Sequence, residues 1–393
     1  MLRALVTGGA GLIGSHIVDL LLRRGYTVRI LDNLEPATHF EGRPAWIPSA
    51  AEFIQGDVRN TDDVRRALQG VDVVFHQAAY GGFALELTKM TEVNAAGTAR
   101  IFEVIRTDGL DIKKIVVASS QAVYGEGKYD CAQCGPCYPE PRPLEQLERR
   151  DWEVHCPLCR AALKPIPIDT AAPVKLIGTY HLTKYFEERL TLALGREWGI
   201  PAVALRYMLT YGPRQSVFNP YTGICSIFST RLLNGLPPVL YEDGHQTRDF
   251  VFVEDVARAN VAVMESDAAN GRVFNVGTGR PTTILQFAEL LRAAYGAKVV
   301  PSVPGQYRPI DFRHLTADIS PLRGLSRREA AGSEAEGEAD GGHPPAVDAE
   351  RGGVARSNAG GAIAGGVHSR ETSRGVVGGA ATRPVPPLRA GWP

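Results

Sequence analysis

An apolar run that breaks into closely spaced glycines and then into an amphipathic stretch opens the chain: ALVTGGAGLIGSHIVDLLL, with Gly8, Gly11 and Gly14 between the two. Few arrangements satisfy this pattern. A strand must turn sharply, let its backbone approach something closely, and start a helix whose first N–H groups lack intrahelical acceptors. The alternation then repeats, with apolar TVRILDN, VDVVFHQAA and KKIVVASS separated by helix-like VRRALQG and ARIFEVIRTDG. Short aliphatic runs between amphipathic segments predict parallel strands buried on both faces and joined by crossover helices. The expected fold class is α/β, a doubly wound parallel sheet.

The rhythm is interrupted between residues 128 and 170, where cysteine and proline replace any clear period, and this segment reads as an insertion. GTYHLTKYFEERLTLALGREWG and PAVALRY restore a helix and a strand, so the first domain is placed at 1–207. Residues 208–325 mix loops, helices and short strands and are expected to form a smaller, partly interleaved lobe. From 326 to 393 glycine, alanine, arginine, glutamate and proline dominate, too few large apolar groups to offset the entropy of ordering. This tail reads either as disordered or as the product of a shifted reading frame.

Lysine plus arginine (43) equal aspartate plus glutamate (43), so no overall field favours nucleic acid or an anionic membrane, and neither is expected as a partner. No stretch approaches the roughly 20 apolar residues of a membrane span, and the opening leaves no room for a signal peptide. A cytoplasmic protein is expected.

The glycine turn, with Leu12 and Ile13 at the helix start, suits a dinucleotide pyrophosphate, which would lie against unpaired N–H donors and a positive dipole end. Asp32 in RILDN ends the next strand; its carboxylate can accept from adenosine ribose hydroxyls and would repel a 2′-phosphate, favouring NAD over NADP. Asn33 adjoins it, and Asp57-Val58 stands where an adenine pocket would end. Tyr180 and Lys184 are one helical turn apart in YHLTK. An ammonium there, with a cationic nicotinamide, would favour ionisation of the phenol and make it a usable base.

Taken together, TGGAGLIGS, VFHQAA, VNAAGT, ASSQAVYG, YHLTK, LRYMLTYGPRQ, GHQTRDFVFVEDVARA and FNVGTG resemble the extended short-chain dehydrogenase/reductases, in particular the NAD-dependent nucleotide-sugar epimerases, over residues 3–320. The resemblance implies a Rossmann domain and an NAD site along Gly8, Gly11, Leu12, Ile13, Gly14, Asp32, Asn33, Asp57, Val58, Ala78, Ala79, Asn94, Tyr180 and Lys184. It implies Ser120 as the hydroxyl that orients the sugar, Tyr180 as base, and Lys184 holding both cofactor ribose and tyrosine. Ser120, Gln121, Arg248 and Arg308 are the implied substrate contacts, the arginines gripping a nucleotide diphosphate. The acidic pair of the 4,6-dehydratases is Gln121-Ala122 here, which disfavours dehydration. Leu209 stands where a substrate-contacting asparagine is usual.

The expected activity is epimerisation at C4 through a transient 4-keto sugar, with a homodimer as the assembly. The alternatives are a nucleotide-sugar dehydrogenase or ketoreductase with exchangeable cofactor, and a non-catalytic NAD-binding protein. Within the insertion, Cys131-x2-Cys134 and Cys156-x2-Cys159 match a four-thiolate structural zinc site, since each knuckle directs two sulfurs at one ion. Cys137 is a possible substitute ligand, and the isolated Cys225 reads as a core residue.

Overall fold

Seven parallel strands build the central sheet: β1 (Arg3–Thr7), β2 (Thr27–Asp32), β3 (Glu52–Gln55), β4 (Val73–His76), β5 (Lys114–Ser120), β6 (Ala202–Tyr207) and β7 (Val273–Val276), in the order β3-β2-β1-β4-β5-β6-β7. The computed structural model describes residues 2–81, 86–217 and 223–325. The expected disordered or frame-shifted tail lies outside the described residues. The doubly wound sheet is as read from the sequence; β7 comes from beyond residue 207 and adds its last strand.

Successive side chains of a strand face opposite ways, and both faces are covered here. Ala4 and Val6 of β1 share a cluster with Ile17, Val18 and Leu21 of α1 (Leu12–Arg23) and with Val256 and Val263 of a helix at Val253–Glu265. Leu5 and Val74 point into a second cluster, built from Val64 and Leu68 of α2 (Thr61–Leu68) and Ile101, Phe102 and Ile105 of α3 (Gly97–Thr107). Asn60 caps α2 by accepting from the Asp62 and Asp63 amides. A five-residue π-helical stretch, Glu92–Ala96, runs directly into α3 and turns Asn94 inward.

The long α4 (Thr179–Trp198) follows the insertion and ends at Gly199, whose φ of +73° closes the helix in the left-handed region. After β6 the chain forms α5 (Ile224–Leu233), α6 (the Val253–Glu265 helix) and α7 (Ile284–Tyr295). Phe228, Leu232, Leu240, Phe250 and Phe287 make a separate apolar cluster there, with the Phe250 and Phe287 rings stacked at 3.9 Å. The insertion has more structure than its composition suggests: Gly135–Cys137, Tyr129–Cys131 and Lys164–Pro165 form a three-stranded antiparallel sheet over a small core of Tyr129, Cys131, Val154, Cys156 and Leu163.

Candidate active site and cysteine centre

In the order above, the winding of the chain reverses between β1 and β4, and a crevice opens there at the carboxyl ends of the strands. Gly8 adopts φ +67°, and an added Cβ would lie 2.8 Å from the Ala78 nitrogen. A Cβ on Gly14 would collide with the Gly8 carbonyl. Turn, helix and β4 end therefore pack backbone to backbone. No side chain caps the first turn of α1, so its N–H groups border a cavity of about 520 Å³. Gly8, Gly11, Leu12, Ile13, Gly14, Asp32, Asn33, Asp57, Val58, Ala78 and Ala79, all predicted from sequence, line this cavity.

At one end Asp32 accepts from the Ala10 amide (3.0 Å) and the Leu34 amide (2.8 Å), tying β2 to the glycine turn. His39 stands beside it; burial lowers the imidazole, opposed by the Asp32 charge. Asp57 takes a two-pronged bond from Arg59 (3.0 and 2.8 Å) and one from Asn33 (3.0 Å). Burial would raise this carboxyl, but those donors outweigh it and hold it at about 2. It stays an anion at the cavity edge.

At the end of β4 the fully buried His76 bridges Thr7 (2.7 Å to Nδ1) and Thr98 (3.0 Å to Nε2). Thr98 donates to the Asn94 carbonyl, which leaves its oxygen to accept from Nε2–H, and Thr7 donates to Nδ1. Burial, with the Lys184 charge adding, drops this imidazole to about 3. Asn94 is not part of the cavity lining; its side chain pairs with both backbone groups of Tyr80 and donates to Thr183 of α4 (3.0 Å). Tyr180, at the start of α4, lies against Gly81 so closely that a Cβ there would run into its ring. Gly81 lines the cavity, whereas Tyr180 and Lys184 are not part of its lining. Lys184 is 3% exposed and ion-paired with Glu187.

The predicted substrate contacts lie outside the cavity lining. Ser120 ends β5, and its Oγ accepts from the Ala122 amide (3.1 Å). Gln121 is buried, and its Oε1 has no hydrogen-bond partner among the described residues. Arg248 is ion-paired with Asp311 (2.8 Å) and donates to the Thr247 and Arg313 carbonyls. Arg308 is exposed, with its guanidinium 4.9 Å from the centre of the Tyr241 ring.

The glycine cradle, the strand order and the tyrosine helix coincide with a known family pattern: the NAD dependent epimerase/dehydratase family matches residues 4–143 and 160–277. The chain belongs to this family. It is 35% identical over 324 residues to a dTDP-L-rhamnose 4-epimerase of Burkholderia thailandensis, covering 81% of this chain and 88% of the relative. Among solved structures it is similar to the UDP-glucose 4-epimerase of Thermotoga maritima with UDP-glucose (29% identity, TM-score 0.67, 82% of this chain and 92% of that one). It is similar also to the Thermus thermophilus UDP-glucose 4-epimerase complex with NAD (30% identity, TM-score 0.65, 82% and 92%).

The internal stretch between the two segments matched by this epimerase/dehydratase family, 144–159, falls inside the insertion. There the Sγ atoms of Cys131, Cys134, Cys156 and Cys159 all lie within 4.8 Å of one another. A tetrahedral zinc about 2.3 Å from each sulfur separates its ligands by roughly 3.8 Å, so the cluster fits such an ion. Amide N–H groups of Cys159 and Leu158 lower the Cys156 thiol to about 6, while the crowded neighbouring sulfurs raise Cys134 and Cys159, so the four sulfurs by themselves favour one thiolate that its neighbours share protons with. Cys137 stays outside the four-sulfur group and packs, partly buried, against the small core of the insertion, and Cys225 is partly buried against the Phe228 cluster.

Sequence reading missed the polar inner stripe of α4, where Glu187 and Glu188 are fully buried. Glu188 takes a fork from Arg206 (2.8 and 2.6 Å) and a bond from Ser119 (2.8 Å). A signal was available: Lys184, Glu187, Glu188 and Thr191 recur at the spacing of the face that a core-facing helix makes apolar.

Proposed function

We propose that this family member is an NAD-dependent nucleotide-sugar epimerase acting at C4 through a transient 4-keto sugar. The observation that carries the reading is Tyr180, one turn before a buried lysine, seated on Gly81 of a glycine-walled cavity. NAD, when bound, supplies reversible hydride acceptance from the sugar carbon. The glycine turn and the α1 N-terminus hold its pyrophosphate, Asp32 its adenosine ribose, and Lys184 its other ribose. Ser120 orients the sugar hydroxyl and Tyr180 takes and returns the proton. Residues 208–325 form the substrate lobe, in which Arg248 and Arg308 contact the diphosphate.

Zinc at the four cysteines is structural in this reading, because four protein ligands leave no open position. A homodimer is supported by Leu182 and Phe186, exposed one turn apart on the outer face of α4. No described helix is long and apolar enough to cross a membrane, and a cytoplasmic enzyme is the companion proposal. The test is NMR of purified protein with UDP-, dTDP- and GDP-sugars and no added cofactor. Interconversion of C4 epimers with NAD retained is expected. Turnover only with added NAD, releasing a keto product, would instead make it a dehydrogenase.

A further inference from the structure

We infer that Glu187 is a positioning residue for Lys184: the buried carboxylate anchors the ammonium and keeps it charged for its role at Tyr180. The inference rests on the Tyr180–Lys184 reading above. Lys184 and Glu187 are 3% and 0% exposed, three residues apart on the face of α4 turned to the sheet. An ammonium so buried keeps its proton only with a counter-ion close by. Glu187 is that counter-ion. Apart from Lys184, neither of its oxygens has a partner among the described residues. Burial raises its carboxyl, and Lys184 alone acts to lower it.

Among the described residues no other charge nearby substitutes for it. On the elements packed against α4, Arg206 is taken by Glu188, Lys89 by Glu35 and Glu92 by Arg59. Lys114 donates to the Val263 and Ser266 carbonyls, Arg100 to the Val58 carbonyl, and Arg106 lies over the Trp198 ring. Glu103 is on the exposed face of α3. Of the uncharged titratable groups, Tyr124 is raised to about 12, and His76 is neutral, bridging two threonines. The charge balance of the lysine is thus set by one side chain that the reaction itself does not touch.

Glu187→Gln keeps the shape and removes the charge, so Lys184 would give up its proton more readily and the phenol would lose the cation that favours its ionisation. The experiment compares the pH dependence of turnover, and the phenolate difference spectrum absent from a Tyr180→Phe control, in the wild type, Glu187→Gln and Glu187→Asp. In Glu187→Gln both midpoints should move to higher pH by about one unit, the small end of the effect of a neighbouring charge. NAD should be retained, and Glu187→Asp should follow the wild type. Unmoved midpoints in a folded, NAD-loaded Glu187→Gln protein would overturn the inference. Should that variant not fold, a Glu187→Asp midpoint displaced as far as one unit would overturn it equally, since the charge is then present. Undiminished turnover by Tyr180→Phe would sink the catalytic reading instead, which keeps the two failures distinct.

Discussion

Tyr180 can be tested without disturbing what surrounds it, since the described contacts of its side chain are made by the ring, against Gly81 and His181. Tyr180→Phe should retain bound NAD and lose at least about 100-fold in turnover, the low end for removing a general base. His76 offers a different measurement. Its folded-state imidazole is depressed to about 3 from 6.5, mainly by burial, so its contribution to stability is complete above pH 6.5 and declines as pH falls toward 3. His76→Gln should be less stable than the wild type at pH 8, by about 1–3 kcal/mol for the two threonine bonds lost. That deficit should shrink in melts run at successively lower pH; a gap constant from pH 8 to 4 would mean that His76 does not titrate as described.

Among the elements, α4 and the insertion carry most of the site's particular character. The insertion is bolted to the segment that bears Arg308. Glu153 accepts from Arg313 (2.6 Å) and contacts His314 (3.3 Å), partners that hold its carboxyl down at about 2. Trp152 lies 5.9 Å, ring centre to ring centre, from Tyr307. Arg313, fully buried, also pairs with Glu242 and Asp243, and Arg142 of the insertion forks onto Glu242 (3.0 and 2.9 Å). Glu153→Gln should therefore raise KM for nucleotide-sugar several-fold while zinc and NAD contents stay at wild-type levels. Chelation should produce the same KM effect, together with loss of order in the insertion, because a core of five residues cannot hold it alone. Zinc at about one ion per chain, measured by elemental analysis, checks the four-thiolate assignment.

At the scale of the whole molecule, the seven-stranded sheet and both clusters packed on it, among the described residues, are built from residues up to 325. Deletion of 326–393 should leave soluble yield and turnover within about two-fold of the full chain, and a collapse of either would show that the tail docks. The sheet and the glycine cavity were legible in sequence because their causes are local. Buried parallel strands must read as aliphatic runs, and a turn that admits no Cβ must be glycine. Tyr180 and Lys184 were legible for a similar reason, being a helical turn apart. The partner of Lys184 lay on the same helix, yet its meaning depended on which face is buried. The joining of the insertion to residues 305–314 could not be read at all, since Glu153 and Arg313 are 160 residues apart. Periodicity and spacing report the backbone's near neighbours, whereas the pairing of buried charges across the chain is decided only when folding removes the water that would otherwise solvate each of them.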